Sequence, residues 1–213
     1  MIGFYNYTVI LTYISLISSA LGMLFAMGLC GEVRPEYAIA CLMISGLCDM
    51  FDGKVARTKK DRTESEKQFG IQIDSLCDVI CFGVLPSVIG YSVGMHGWYD
   101  VPILVFFPLC AVIRLAYFNV AEEERQKQTS DVRKVYEGLP VTSVALILPL
   151  LYSFHRDIGV AWFPTIYGFT LLVTAVAFIT RFKVKKPTMK TMITFIVVGA
   201  FELAWMMYKT NIR

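Results

Sequence analysis

The sequence predicts an all-α integral membrane protein, a polytopic helical bundle of six to seven transmembrane helices with eight as the upper bound. Its 213 residues are 56% hydrophobic and only 17% charged, whereas ordinary soluble domains are about 25% charged. The mean hydropathy is +0.58. A soluble core cannot absorb that much apolar surface, and the length suits a single membrane domain over residues 1–213.

Seven apolar runs are the candidate transmembrane helices, and most are close to the roughly 20 residues that cross the hydrocarbon layer. The first run lacks a basic leader and is too long for the core of a signal peptide, so we expect it to be retained. In chain order the runs are Thr8–Leu29, Tyr37–Ala56, Phe69–Val93, Val101–Val120, Leu139–Phe154, Val160–Ile179 and Thr191–Tyr208.

Lysine and arginine concentrate in three of the predicted loops. Residues 54–67 hold six of them, residues 121–138 hold four, and residues 181–190 hold five. Because cytoplasmic loops of membrane proteins carry an excess of basic residues, these three loops are predicted to face the cytoplasm. We therefore expect a multi-pass protein of the cell membrane with its N-terminus inside, and no feature that suggests a nucleic-acid partner.

Four aspartates lie inside two neighbouring apolar runs. Asp49 and Asp52 are three residues apart, and Asp74 and Asp78 are four apart, so each pair shares one face of its helix. Small residues on the same faces leave room for a bulky ligand between the helices. Both pairs lie next to the most basic of the predicted cytoplasmic loops, which favours an anionic substrate.

The depth of each pair depends on where the two helices end and begin. If the first helix ends near Arg57 and the second begins near Phe69, Asp49 lies about 12 Å and Asp78 about 13 Å from those ends, at about 1.5 Å per residue. Two antiparallel helices would then face each other with four carboxylates at one level.

Carboxylates at membrane depth are costly unless something neutralises them, which makes them candidates for a functional site. Oxygen ligands suit hard cations such as Mg²⁺ or Mn²⁺, and four carboxylates leave room for two ions. Paired metal ions stabilise both oxygens of a phosphoryl displacement. The alternatives are aspartates that cap helix ends or pair with Lys54 and Arg57, and a divalent-cation transporter. Against a transporter, the sequence predicts no polar residues that continue outward from the aspartates.

The aspartates belong to a longer pattern of fixed spacings, Asp49-x-x-Asp52-Gly53-x-x-Ala56-Arg57 followed by Gly70-x-x-x-Asp74-x-x-x-Asp78. This pattern resembles the signature of the CDP-alcohol phosphatidyltransferases. Twelve residues separate the two halves, a few more than is usual in the family. The resemblance implies a six-helix core, a homodimer, and a site for CDP-diacylglycerol that faces the cytoplasm.

The resemblance also implies a role for each matched residue. The implied metal ligands are Asp49, Asp52, Asp74 and Asp78, and Asp78 is also the implied general base that takes the proton of the attacking hydroxyl. The implied contacts to CDP-diacylglycerol are Gly53, Ala56, Arg57 and Gly70. No serine or cysteine is arranged with a base for covalent catalysis, so the acceptor oxygen is expected to displace CMP directly.

Three further segments, Asp74–Pro86, Arg114–Val120 and Tyr136–Pro140, resemble the branch of the family that uses serine as the acceptor. That branch transfers the phosphatidyl group of CDP-diacylglycerol to the hydroxyl of L-serine. A serine pocket should offer a cation for the carboxylate and acceptors for the ammonium. The candidates for binding the acceptor or a phosphate are Arg114, Asn119, Arg133, Glu137 and Gly138.

Other interpretations of these segments remain open. The acceptor could instead be glycerol 3-phosphate or inositol phosphate, or serine could be transferred onto an archaeal CDP-activated ether lipid. Gly138-Leu139-Pro140 could simply be a turn that leads into a helix, and Arg114 could belong to an internal ion pair.

Overall fold

The computed structural model describes residues 3–128, 135–185 and 189–211. Within these ranges the chain is almost entirely helical, as the composition predicted. The α-helices are α1 (Ile10–Ala26), α2 (Pro35–Ala56), α3 (Glu64–Asp78), α4 (Leu85–Ser92), α5 (Asp100–Gln128), α6 (Val144–Ser153), α7 (His155–Ile158), α8 (Phe163–Ile179) and α9 (Met189–Asn211).

Each of the seven apolar runs forms a helix, and the fold class is confirmed. The third run forms one continuous helical segment, because a π-helix over Val79–Val84 joins α3 directly to α4. Short 3-10 turns precede α1, separate α1 from α2 and precede α6; they are Tyr7–Val9, Leu29–Gly31 and Val141–Ser143.

Three stretches of the described chain are long and apolar enough to cross a membrane: Tyr7–Ala26, Glu64–Ser92 and Asp100–Arg125. Shorter apolar helices follow at Val141–Ser153, Phe163–Ile179 and Thr191–Met206. Many large apolar side chains remain exposed on the outside of these helices; Phe169 and Phe201, for example, are 67% and 68% exposed. An apolar exterior of this kind is expected where lipid, rather than water, surrounds the protein. The chain is a polytopic helical membrane protein.

The buried core includes residues of α2, the π-helix, α4, α5, α6 and α8. Phe107 of α5 and Phe178 of α8 are fully buried, with ring centroids 5.5 Å apart. The buried Tyr167 hydroxyl donates a 3.0 Å hydrogen bond to the carbonyl of Pro86, so this buried polar group has a partner in the apolar core. Helices α1 and α2 pack against each other along their length and complete the bundle.

Two short strands that the sequence did not predict join the loop after α5 to the loop after α8. Strand β1 (Val135–Glu137) pairs antiparallel with β2 (Lys183–Lys185). At Gly138 the backbone turns with φ of +73°, and its N–H donates a 2.8 Å hydrogen bond to the carbonyl of Phe182. A Cβ atom at Gly138 would lie 3.0 Å from the carbonyl oxygen of Phe178. The positive φ and this close approach both favour glycine.

Candidate metal centre

Helix α2 carries the first two aspartates. It begins with Pro35 in its first turn, where a missing N–H costs nothing, and ends at Ala56. Arg57 is the C-cap residue, so the predicted end of this helix near Arg57 is confirmed. Asp49 therefore lies about 11 Å from the end of α2, at about 1.5 Å per residue.

Helix α3 begins at Glu64, and the predicted start near Phe69 is wrong. The cause is a capping box: the Thr63 hydroxyl accepts a 3.2 Å hydrogen bond from the backbone N–H of Glu66, and the Glu66 carboxylate accepts one of 2.9 Å from the backbone N–H of Thr63. This cap stabilises a charged first turn that an apolar pattern does not reveal. Asp78 is consequently about 21 Å from the start of α3, so α3 extends further towards the basic loop than α2 does.

Other hydrogen bonds fix the loop between α2 and α3 to the N-terminal segment. Lys59 Nζ and Asn6 Nδ2 both donate to Glu66 Oε1, at 2.7 and 3.1 Å. The hydrogen bond to Glu66 raises the pKa of Lys59. The Tyr7 and Thr58 hydroxyls lie 3.1 Å apart. These contacts hold the start of α1 close to the mouth of the aspartate cluster.

The structure brings three of the four aspartates together. One carboxylate oxygen from each of Asp49, Asp74 and Asp78 lies within 4.8 Å of the other two. Asp78 is buried, and Asp49 and Asp74 are partly buried. Oxygens bound to one Mg²⁺ ion lie at most about 4.2 Å apart, because each metal–oxygen distance is about 2.1 Å. Small side-chain rotations would therefore let these three oxygens coordinate one hard divalent cation.

Asp52 lies beside this cluster rather than within it. Its Oδ2 atom accepts a long hydrogen bond of 3.5 Å from the Thr12 hydroxyl of α1, and its carboxyl group lies against that of Asp74. Asp52 is 9% exposed. Four carboxyl groups are thus enclosed between α1, α2 and α3, an arrangement that requires protons or cations to be stable.

Buried hydroxyl groups continue from the aspartates into the membrane, contrary to the prediction that no polar residues lie there. The Ser19 and Ser45 hydroxyls are 2.8 Å apart, and Ser45 also donates to the Ser15 carbonyl at 2.9 Å. Ser15 lies 3.4 Å from the thiol sulfur of Cys81. Each of these groups has a partner in a neighbouring helix, so they account for the close packing of α1 and α2 without any ligand.

The residues with an implied contact to CDP-diacylglycerol lie around the ends of α2 and α3. Arg57 is exposed, and its Nε donates a 3.0 Å hydrogen bond to the carbonyl of Gly53. Arg62, which the sequence argument did not select, donates to the carbonyl of Ala56 at 3.5 Å. Its Nη2 atom would lie 2.6 Å from a Cβ atom at Gly70. Glycine at position 70 therefore leaves room for the Arg62 side chain.

The candidates for the acceptor site separate into two groups. Asn119 of α5 donates a 2.8 Å hydrogen bond to the hydroxyl of Ser75, the residue after Asp74, so it lies close to the aspartates. Arg114 is 6% exposed, and its Nε donates to the carbonyl of Leu139 at 3.3 Å while its guanidinium lies over the ring of Phe118. The contacts of Arg114 hold the segment after β1 against α5.

The remaining acceptor candidates lie near the two-stranded ribbon. Glu137 is exposed and accepts a 3.0 Å hydrogen bond from the Tyr117 hydroxyl. Gly138 forms the turn after β1. Arg133 lies outside the described residues. Among these candidates, Asn119 is placed beside the aspartate cluster by its hydrogen bond to Ser75.

An apolar cavity of about 730 Å³ opens beside Asp49. Its walls come from α2, α6 and α9 and from the turn before α6. Most of its lining is aliphatic, with Thr142, Ser143 and Thr191 among the few polar side chains. A cavity of this size and character suits an apolar ligand or a lipid tail, and Asp49 belongs both to its wall and to the aspartate cluster.

Comparison with known proteins identifies relatives of this chain. The family model of the CDP-alcohol phosphatidyltransferases matches residues 5–180. The chain is 38% identical over 130 residues to a CDP-diacylglycerol–serine O-phosphatidyltransferase of Saccharomyces cerevisiae, an alignment that covers 59% of this chain and 46% of the relative. It is 29% identical over 182 residues to the enzyme of that name from Mycobacterium leprae, covering 83% of this chain and 57% of the relative.

An archaeal relative carries a different name. An archaetidylserine synthase of Methanothermobacter thermautotrophicus is 33% identical over 129 residues, covering 59% of this chain and 51% of the relative. The chain spans about half the length of the curated relatives it matches. The family match includes α1 to α8 and both aspartate pairs, and on this match and the geometry of the aspartates the chain belongs to the CDP-alcohol phosphatidyltransferase family.

Proposed function

We propose that this protein transfers the phosphatidyl group of CDP-diacylglycerol to the hydroxyl of L-serine, giving phosphatidylserine and CMP. The observation that carries the proposal is the meeting of Asp49, Asp74 and Asp78 between two membrane helices of a chain in this family. The names of its relatives support serine as the acceptor.

The metal ligands in this proposal are Asp49, Asp74 and Asp78 for one ion, with Asp52 and Asp74 placed to share a second. The oxygen-only donor set suits Mg²⁺ or Mn²⁺. When bound, two such ions would neutralise the pyrophosphate and stabilise the charge that develops on its oxygens. The carboxylates would hold those ions beside the apolar cavity, because Asp49 belongs to both the cluster and the cavity wall.

Asp78 is the proposed general base. Its carboxylate would take the proton from the serine hydroxyl as the hydroxyl oxygen forms a bond to the phosphorus that carries the diacylglycerol. The bond from that phosphorus to the bridging oxygen of CMP then breaks, and CMP leaves with the bonding electrons. Burial shields Asp78 from water, which would otherwise compete with serine as the acceptor.

Two parts of the structure would hold the lipid donor. Gly53, Ala56, Arg57 and Gly70 line the region proposed for the CDP moiety, where the exposed guanidinium of Arg57 can bind a phosphate. The apolar cavity beside Asp49 would receive an acyl chain of the donor. In this arrangement the reacting phosphate lies between a polar nucleotide site and an apolar tail site.

The wider setting follows from the charge pattern. We propose a single membrane domain over residues 1–213 in the cell membrane, with the aspartate cluster open to the cytoplasm and no nucleic-acid partner. The basic loop between α2 and α3 would attract the anionic donor. A homodimer is proposed from the family resemblance.

An acceptor assay tests the proposal. Purified protein is given CDP-diacylglycerol with L-serine, glycerol 3-phosphate or inositol phosphate, and CMP release is measured with and without a chelator. We expect release that depends on serine and on a divalent cation. Turnover with glycerol 3-phosphate but not with serine would disprove the serine assignment. A CDP-activated ether lipid in place of CDP-diacylglycerol distinguishes the archaeal reaction.

The rival from a different class is a divalent-cation transporter, and the buried hydroxyls below the aspartates are the observation in its favour. Those hydroxyls, however, hydrogen-bond to one another and to backbone carbonyls of α1 and α2. Uptake of Mn²⁺ into proteoliposomes that contain the protein but no CDP-diacylglycerol would support the transporter and contradict the transferase.

A further inference from the structure

A hydrogen-bonded pair on α3 and α5 lies next to the proposed general base. Asn119 Nδ2 donates to Ser75 Oγ at 2.8 Å, and both residues are partly buried. Ser75 precedes Asp78 by three residues on α3, so their side chains are neighbours on the helix surface, with Cβ atoms about 5–6 Å apart. A small molecule held by Ser75 and Asn119 would therefore reach the Asp78 carboxylate.

The pair has unused hydrogen-bonding capacity. An asparagine amide has two N–H donors and one acceptor oxygen, and a serine hydroxyl can accept and donate at the same time. The contact between them uses one N–H of Asn119 and one lone pair of Ser75. Three groups of the pair have no hydrogen-bond partner among the described residues. They are the second N–H of Asn119, the Oδ1 atom of Asn119 and the O–H of Ser75.

These free groups match the charged end of an amino acid. Asn119 Oδ1 can accept from an ammonium group, while the Ser75 O–H and the second Asn119 N–H can donate to a carboxylate. The pair itself is neutral. The nearby cation on α5, Arg114, is buried and directed at the Leu139 carbonyl and the Phe118 ring. L-Serine carries no net charge, so a neutral pair can bind both of its charged groups, whereas the net negative charge of a phosphate-bearing acceptor would have no counterpart in this pair.

We infer that Ser75 and Asn119 recognise the ammonium and carboxylate groups of the acceptor and direct its hydroxyl to Asp78. This inference rests on the proposed function, because it assigns the part of the site that selects serine. It also adds Ser75, which the sequence argument had not selected, to the acceptor site, and it separates Asn119 from Arg114, Glu137 and Gly138.

The test compares variants on acceptors that lack one charged group. Asn119→Ala and Ser75→Ala are assayed for CMP release with L-serine, with ethanolamine, which lacks the carboxylate, and with 3-hydroxypropanoate, which lacks the ammonium. We expect KM for L-serine to rise at least about tenfold in both variants, because each removes groups that bind the acceptor. KM for CDP-diacylglycerol should stay within about twofold of the unmodified protein. In Asn119→Ala the preference for L-serine over 3-hydroxypropanoate should also fall by about tenfold.

Two further variants keep the result interpretable. Ser75→Thr retains the hydroxyl, so its KM for L-serine should be lower than that of Ser75→Ala. Ser18→Ala removes a different buried hydroxyl that bonds to the carbonyl of Cys41 at 3.0 Å, and it should leave KM for L-serine unchanged. If Asn119→Ala does not fold, Asn119→Leu replaces it; this variant keeps the approximate size of the side chain but offers no hydrogen bond to either charged group, so KM for L-serine should rise.

The outcomes separate this inference from the proposed function. If the unmodified protein releases no CMP with serine, the proposed function fails and the inference fails with it. If the unmodified protein makes phosphatidylserine and the Ser75 and Asn119 variants keep KM for L-serine, only the inference is overturned. A rise in KM for CDP-diacylglycerol of the same size as that for serine would also overturn it, because the pair would then act on the donor or on the fold.

Discussion

Asp78 occupies a different environment from the other two members of the cluster. It is buried, and the π-helix that begins at Val79 follows it at once. A π-helix adds a residue to the turn and shifts the side chains that come after it, and such turns are frequent at functional sites. Here the shift lets Asp74 and Asp78 face α2 while Phe82 and Leu85 point into the apolar core.

Replacement of Asp78 by asparagine tests its role as general base with little change in the shape of the side chain. Asp78→Asn keeps the shape of the side chain but cannot take a proton, so we expect turnover with serine to fall by about 10²- to 10⁴-fold. The thermal unfolding midpoint should change little, because the repulsion relieved by removing one of several crowded carboxylates offsets the weaker binding of a divalent ion. Activity within tenfold of the unmodified protein would exclude Asp78 as the general base.

The aspartates could be predicted from the sequence because the spacing within each pair places both residues on one face of a helix, independently of tertiary contacts. Arg62 and Ser75 could not be found in this way. Their positions matter only through partners at Gly70 and Asn119, and the second of these lies 44 residues away in the chain. Residues that act through tertiary contacts leave little pattern in a single sequence.

At the scale of whole elements, the seven apolar runs each correspond to a helix in the described part of the chain, but the apolar pattern did not predict where all of those helices begin. The start of α3 depends on the capping box between Thr63 and Glu66, and the five charged or polar residues of its first turns, Glu64–Gln68, resemble a loop in the sequence. The pairing of β1 with β2 involves three residues in each strand, which is too short for an alternating pattern to stand out. Local hydrogen bonds therefore determine the start of α3 and the pairing of β1 with β2, which the hydrophobic pattern does not predict.

Helices α2 and α6 pack closely at Gly46. A Cβ atom at this position would lie 2.4 Å from the Cβ of Ala145, so Gly46→Ala should force the helices apart and lower the free energy of unfolding by about 1–3 kcal/mol. Gly199→Ala on α9 is the matched control, since its Cβ would have its nearest neighbours at 3.8 Å. Thermal unfolding in detergent should show a lower midpoint for Gly46→Ala alone, and equal midpoints would contradict this packing.

Helix α9 lies beyond the part of the chain that the family model matches, yet it forms one wall of the apolar cavity. Ala200→Phe would fill part of that cavity, so we expect the relative kcat/KM for CDP-diacylglycerol with short acyl chains over long ones to rise by about tenfold. Val197→Phe, on the exposed side of α9, should leave the ratio unchanged. The same chain-length profile in both variants would place the lipid tails elsewhere.

At the scale of the whole molecule, the site joins α2 and α3 through four carboxylates that repel one another. Removing divalent cations with a chelator should therefore abolish CMP release and also lower the thermal midpoint, because the ions bind the folded state. Adding back Mg²⁺ or Mn²⁺ in excess should restore both, and the better of the two ions identifies the preferred cofactor. Full activity in excess chelator would rule out a metal-dependent transfer.

The orientation of the molecule can be tested by its exposed lysines and arginines. Trypsin added to sealed vesicles with the cytoplasmic side outward should cut the loop between α2 and α3, where Arg57 and Lys60 are exposed. Vesicles of the opposite orientation should instead be cut near Arg34 or Arg156, and detergent should expose every loop. Cleavage of the α2–α3 loop only from the opposite side would reverse the predicted topology.

The serine hydroxyls shared by α1 and α2 bear on how the protein is made. These two helices precede α3 in the chain, and Ser15, Ser19 and Ser45 join them through hydrogen bonds that favour association within lipid. The hairpin can therefore form during translation, before α3 has been synthesised. Asp49 and Asp52 would then already lie on this α1–α2 hairpin. Insertion of α3 into the bilayer would complete the cation site.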